Sequence, residues 1–277
     1  MKLKKIICFI ITLAVIERFC YFQTGSFALG KMRNPYAEVY LADESGVTLQ
    51  QPLTFLGAGK QFYAFITADQ KYVVKFMKWS RKRPLPWLEK IPLPFDSLKR
   101  DYLSQRKKTA DSIMQSTLIA LHSLQEETHV KLAKETSSWH LIDKLNIHHT
   151  VDKCETFVCV QEKAHPFPEY FLLHPEKREK LLTSFVETVQ SQCCKGIINR
   201  DPRAYRNFGV IDDKVMIIDI GSFQRADIQG DGLKIAEEVT KELSSLRLWL
   251  KQQDPSSLAS LDNILFNRLS LLKSSFS

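Results

Sequence analysis

Three separated segments hold residue types that phosphoryl chemistry requires. Gly57 and Gly59 stand in L-G-A-G-K-Q-F-Y-A-F, residues 56–65, between two strand-like runs. Glycine there permits a tight turn whose backbone can approach a phosphate closely. Lys75 stands one hairpin later in V-V-K-F, residues 73–76, with apolar strand residues on both sides. The block 196–221, G-I-I-N-R-D-P-R-A-Y-R-N-F-G-V-I-D-D-K-V-M-I-I-D-I-G, holds Asp201, Asn207 and Asp219. Transfer of a phosphoryl group from ATP needs a covering loop and a cation at the phosphates. It also needs a carboxylate and a neutral oxygen on the metal, and a carboxylate aimed at the acceptor hydroxyl. In that scheme Gly57, Gly59 and Lys75 bind the nucleotide. Asp219 and Asn207 hold Mg²⁺, and Asp201 orients the acceptor hydroxyl and takes its proton.

Each residue taken singly also has a plainer reading. The glycines form a hairpin turn, Lys75 points outward from an edge strand, Asp201-Pro202 starts a turn, and Asp219 caps one. A Walker P-loop at G-A-G-K is excluded, because Thr54 stands where its first glycine belongs and Gln61 where its Ser/Thr belongs.

Together the segments resemble the protein-kinase-like superfamily over roughly residues 50–225. N-R-D at 199–201 is similar to that family's H-R-D, D-I-G at 219–221 to its D-F-G, and V-V-K-F to the strand bearing its ATP lysine. The resemblance implies ATP and Mg²⁺ as cofactors and a hydroxyl acceptor on a sugar, lipid or protein. Several positions depart from the pattern. Phe62 replaces the third glycine, where it would serve as the aromatic tip of the loop. Asn199 replaces the histidine, and Asn207 stands one position further from Asp201 than in the family. The acid that would pair with Lys75 is Asp111 or Asp101. No A-P-E segment follows Gly221, and Ser222–Ser277 is too short for the helical half of a conventional protein kinase. The expected class is therefore a small divergent kinase. The alternative is a catalytically inactive pseudokinase acting as an exported or membrane-associated interaction module.

The elements that must position these residues follow from hydrophobic periodicity and turn residues. Strands are expected at 53–57, 61–67 and 72–78, then near 139–142, 147–151 and 156–161, and later at 208–211 and 215–218. A long helix is expected from Asp96 or Ser97 to about Thr128, and another over 175–194. Prolines make 79–95 and the region of Pro166, Pro168 and Pro175 connections. Two amphipathic helices close the chain, one through Leu233 and Leu250 and one after Pro255. The expected fold is α+β and two-lobed, kinase-like, with a β-rich N-lobe over 29–162 and a short helical C-lobe over 163–277.

Residues 1–28 are expected to be a signal peptide or membrane anchor. Basic K-L-K-K precedes the apolar run 6–16, and Ser26 and Ala28 supply a weak cleavage site after Ala28. The protein is thus expected to be membrane-associated or exported, which conflicts with a need for ATP unless the segment anchors the enzyme, ATP is present at the destination, or catalysis is lost. The basic stretch 78–83, with Trp79 and Trp87, is a candidate contact for an anionic membrane surface. The net charge of +8 in 277 residues suits a nucleotide or such a surface, and no motif supports specific nucleic-acid binding. With 44% apolar residues and one long apolar run, wholesale disorder and a polytopic membrane protein are excluded. The six cysteines form no CxxC pair, so a zinc knuckle is not expected. Cys159, Cys193 and Cys194 read as core, and His148–His149 as surface.

Overall fold

The structure, a computed structural model, describes residues 2–32, 46–79, 96–134, 137–152, 156–201 and 204–275. Within these the chain is mixed α+β and divides into two compact units. The first comprises Met1–Ala110 and Lys131–Val160, the second Asp111–Val130 and Gln161–Ser277. Residues 111–130, which the sequence reading places in the first lobe, therefore belong with the second unit. The reason is packing: residues in 111–130 bond to the D-I-G segment and to the later helices, as described below.

The first unit opens with helix α1 (Lys2–Gln23). Among the described residues, no helix is long and apolar enough to cross a membrane. Its sheet residues come from β1 (Leu53–Ala58), β2 (Phe62–Ile66), β3 (Tyr72–Met77), β5 (Ser138–Ile142), β6 (His148–Asp152) and the start of β7 (Val158–Glu162). With the short strand β4 (Val130–Lys131), the order is β4-β7-β3-β2-β1-β5-β6. The three strands β1, β2 and β3 are antiparallel neighbours, with Phe55 opposite Phe65 and Ala64 opposite Lys75. β1 runs parallel to β5, which pairs antiparallel with β6.

β-branched and aromatic residues alternate along these strands, so one side fills a common core. Phe27, Leu53, Tyr63, Phe65, Val74, Phe76, Trp139 and Leu141 belong to it. Phe65 meets Phe76 at 5.4 Å between ring centroids, and Phe76 meets Trp139 at 5.7 Å, both edge-to-face. That geometry matches ring edges to ring faces electrostatically. His149 is not a plain surface residue as expected: its ring is half-buried and meets Asp143 at 2.9 Å.

In the second unit α2 (Asp96–Ser123) supplies its last turns, followed by α3 (Gln125–Thr128). Then come β8 (His165–Pro166), α4 (Phe167–Leu173), α5 (Arg178–Cys194), β9 (Ile197–Asn199), β10 (Phe208–Ile211), β11 (Lys214–Ile217) and β12 (Phe223–Arg225). Helices α6 (Gly232–Glu242), α7 (Ser244–Gln253) and α8 (Pro255–Ser275) end the chain. The apolar stripe of α5, through Leu181, Phe185 and Val189, is fully buried. Phe185 stacks on Phe208 of β10 at 4.1 Å. Gly196 ends α5 with φ of +69°, the left-handed conformation a helix stop requires.

α4 is a correction, since its prolines led to the expectation of a connection. Pro168 falls in the first turn, where a missing N–H costs no helical bond. The apolar period through Leu233 and Leu250 likewise yields two helices, because the chain breaks at Leu243. The proline-rich stretch lies outside the described residues from 80 onward, as does Cys154.

Candidate functional site

The residues of the second unit come together through backbone pairing. β10 and β11 form a hairpin in which Phe208 faces Ile217. Its turn is Asp212–Asp213, both at positive φ, which matches the twist of paired strands. At the open end, the carbonyl of Asn207 accepts the backbone N–H of Ile218 at 2.7 Å and that of Asp219 at 3.3 Å. Asn207 and Asp219 therefore stand side by side.

The N-R-D segment is fixed to the D-I-G segment by a second pairing. β9 and β12 are antiparallel with Asn199 opposite Phe223, and Arg200 N–H donates to the Ser222 carbonyl at 3.1 Å. Thus Asp201 leaves β9 close in register to the chain that follows Asp219. Asn199 turns its side chain back on its own segment: Oδ1 accepts the N–H of Asp201 at 3.0 Å. Asp219 does the same, with Oδ1 accepting Gly221 N–H at 3.2 Å. Both are local turn bonds of the Asx type.

Two residues that sequence reasoning missed hold this assembly. Ser116 of α2 is buried, its hydroxyl donating to the Ile220 carbonyl at 2.6 Å and accepting from Phe223 N–H at 2.7 Å. Glu242 of α6 is buried beneath the N-R-D segment. Its Oε1 accepts Asn199 N–H at 2.8 Å and the Gln192 amide at 2.9 Å. Burial pushes the Glu242 carboxyl up to about 7, and the two donors offset only part of that effect. A signal existed for Glu242. It continues the buried series Ile235, Val239 at helical spacing, so an acid sits on an apolar face. For Ser116 no local signal distinguishes it from other helix serines.

The residues of the first unit are placed as follows. Lys75 lies on β3 between β2 and β7, so it does not sit on an edge strand. It is half-buried, and its carbonyl accepts the Cys159 thiol at 3.9 Å. Burial pushes that thiol up to about 12, with the nearby Lys75 charge acting weakly in the opposite sense.

Gly59 N–H donates to the Phe62 carbonyl at 2.9 Å, closing the β1–β2 turn. The pairing slips between Phe55 and Gly57, a bulge of the kind that re-aims backbone near sites. A Cβ on Gly57 would meet nothing within 4 Å, and on Gly59 only the Phe62 carbonyl at 3.8 Å. The glycines are therefore not forced by packing, and the space beside them is open. Phe62 is buried and is not an exposed loop tip.

Lys78 was also missed as a site neighbour. Its ammonium donates to the Gly59 carbonyl at 2.6 Å and lies 4.0 Å from the Tyr63 ring centroid. Burial, then the charge of Lys31, lowers its pKa to about 8. Lys78 and Trp79 are both buried, which corrects their reading as part of a surface basic stretch. Residues 80–83 and Trp87 lie outside the described residues. So does the Asp101 side chain, and Asp111 belongs to the second unit.

The donor set suits Mg²⁺ in kind, since it offers one carboxylate and one amide oxygen. Among the described residues, no cluster of three or more His, Cys, Asp or Glu could hold a metal. Asn207 is buried, yet its Nδ2 has no hydrogen-bond partner among the described residues. A buried amide nitrogen left unpaired is uncommon and costly. A half-turn of its terminal torsion exchanges nitrogen for oxygen, so the side chain can offer the atom a metal needs.

No family model matches the chain, and no curated protein matches it. Solved structures that match include a protein of the kinase class. That protein is WbdD, described in one structure as a bifunctional kinase-methyltransferase. Its 2.2 Å structure matches at 15% identity and a TM-score of 0.39, covering 79% of this chain and 46% of that one. Its complex with the kinase inhibitor LY294002 matches at 16% identity and 0.38, with the same coverage. The medium-resolution structure gives 16% and 0.39, covering 80% of this chain and 46% of the other. The chain thus spans less than half the length of these structures. The likeness at these values is a divergent one, and any function rests on this chain's own residues.

Proposed function

We propose that the protein is a divergent ATP- and Mg²⁺-dependent phosphotransferase acting on a hydroxyl acceptor. The observation that carries this reading is the juxtaposition of Asn207 and Asp219 at one end of a hairpin, with the N-R-D segment strand-paired beside it. Asp219 and Asn207 would hold the metal, which would neutralise phosphate charge. Asp201 would accept the acceptor's proton. Lys75 would hold the α- and β-phosphates, beneath a loop in which Gly57 and Gly59 leave room for them. The family resemblance of these motifs supports the roles, and the acceptor class is a sugar, lipid or protein hydroxyl.

The test is a thermal-shift titration of the full chain with ATP, with and without Mg²⁺. A ligand that binds only the folded state at a hundredfold excess over its Kd adds about 2.7 kcal/mol of stability. The expected result is a Mg²⁺-dependent rise in Tm, lost in Asp219→Ala and weakened in Lys75→Ala. Asp201→Ala is expected to keep that rise and lose phosphoryl transfer. A folded protein whose Tm does not respond to ATP with Mg²⁺ would overturn the reading in favour of the interaction module.

A further inference from the structure

The residues around the expected cleavage site are part of the first unit's core. Phe27 is buried, 5.2 Å from Tyr63, 5.6 Å from Phe65 and 5.4 Å from His149 between ring centroids. The Tyr63 hydroxyl donates to the Ser26 carbonyl at 2.8 Å and accepts Ala28 N–H at 3.2 Å. Gly25 has φ of +60°, and a Cβ there would stand 2.7 Å from the Phe55 ring. Lys144 donates to the Phe22 carbonyl at the end of α1, at 2.9 Å. Cleavage after Ala28 would remove Phe27 from the core and place a charged amine beside the space it leaves. A chain processed there would lose part of its own fold.

The helix that these contacts hold in place is almost wholly apolar over 6–16. Phe9, Val15 and Phe19 are each more than 60% exposed, and Ile11, Leu13, Ile16 and Phe22 are exposed as well. At 100° per residue these positions point around most of the helix circumference. A helix apolar all round is ordinarily buried in something. The apolar run 6–16 rises about 16 Å, roughly half of a hydrocarbon core of about 30 Å. Basic residues precede it, and Glu17 and then Arg18 follow it, with Arg18 stacked 4.9 Å from the Phe22 ring centroid and 5.4 Å from that of Tyr21. Cations and aromatic rings at the ends of a short apolar run suit lipid headgroups.

We propose that α1, too short to cross, is retained in the mature protein and seats it on a bilayer bearing anionic lipid, lying along the interface of one leaflet with both charged ends at the headgroups. This goes beyond the nucleotide reading and does not depend on it.

Flotation of the full chain with vesicles tests it. One set is phosphatidylcholine, the other phosphatidylcholine with phosphatidylglycerol. The chain is expected to float with the mixed vesicles. The variant Phe9→Asp/Leu13→Asp/Val15→Asp is expected to stay unbound with an unchanged Tm. Lys4→Glu/Lys5→Glu is expected to lose at least about tenfold of the partitioning into mixed vesicles. Intact mass of the protein isolated from expressing cells should include α1. A mature chain beginning at Leu29 would overturn the proposal. So would a full chain that floats with neither vesicle. If that chain runs as a dimer, a second copy covers the helix instead.

Discussion

A carboxylate on the apolar face of a helix is costly unless donors meet it, and in α6 two donors meet Glu242. Its folded-state value of about 7 lies above the ordinary 4.5, so the folded chain binds the proton more tightly than the unfolded one. Stability from this group is therefore fully present below pH 4.5 and lost as pH rises through 7. The loss amounts to about 3 kcal/mol. Glu242→Gln keeps an acceptor for Asn199 N–H and is expected to flatten the Tm-against-pH curve between those limits. An unchanged slope in the variant would show that Glu242 does not titrate there. The thiols give a second residue-scale expectation, because thiolate is the reactive form. Burial pushes Cys159 up to about 12 and raises Cys193 further. Peptide mapping after maleimide treatment at neutral pH should find Cys20, which is exposed, labelled. Cys159 and Cys193 should label only after denaturation. Phe27→Ala should lower stability by about 3–5 kcal/mol in a denaturant titration, as for a large ring removed from a packed core.

At the scale of elements, the candidate site depends on which strands pair and what ties them down. Ser116→Ala removes both of that hydroxyl's bonds to the chain between Ile220 and Phe223. It leaves a buried N–H unpaired, so the expected cost is about 1–3 kcal/mol in urea unfolding. The ATP-dependent Tm rise is expected to shrink in the same variant. The hairpins of both units were legible from two-residue alternation between turn residues. Expected strands at 72–78 and 208–211 are observed at Tyr72–Met77 and Phe208–Ile211. The β9–β12 pairing was not legible. Three-residue strands carry too little periodicity, and their partners lie more than twenty residues apart. Helix α4 was missed because proline stops a helix interior but is tolerated in a first turn, and sequence alone does not say which applies.

At the scale of the whole molecule, neither unit is a continuous piece of chain. Residues 111–130 belong to the second unit although they lie between the two segments of the first. A fragment of 163–277 would lack Ser116 and also Glu127, whose buried carboxylate meets Lys195 at 2.6 Å. It would also lack Gln161, whose amide donates to the Thr128 and Ile217 carbonyls. That fragment is expected to show no cooperative melting by circular dichroism, while a fragment starting at 111 retains these partners. A sharp transition from 163–277 alone would contradict this account of the second unit.

The sequence by itself determined the longer strands and helices around the site and the side-chain types at Lys75, Asp201, Asn207 and Asp219. Those properties are local: period, turn residues and side-chain type are written in consecutive positions. Only the tertiary structure decided that Asn207 and Asp219 adjoin, that Ser116 and Glu242 hold the two motif segments, and that Phe27 belongs to the core. It also moved Lys78 and Trp79 from the surface to the interior. Each of these depends on partners distant in sequence. Burial and hydrogen bonding across such separations arise from how strands and helices pack, and the pattern of any single segment does not encode them.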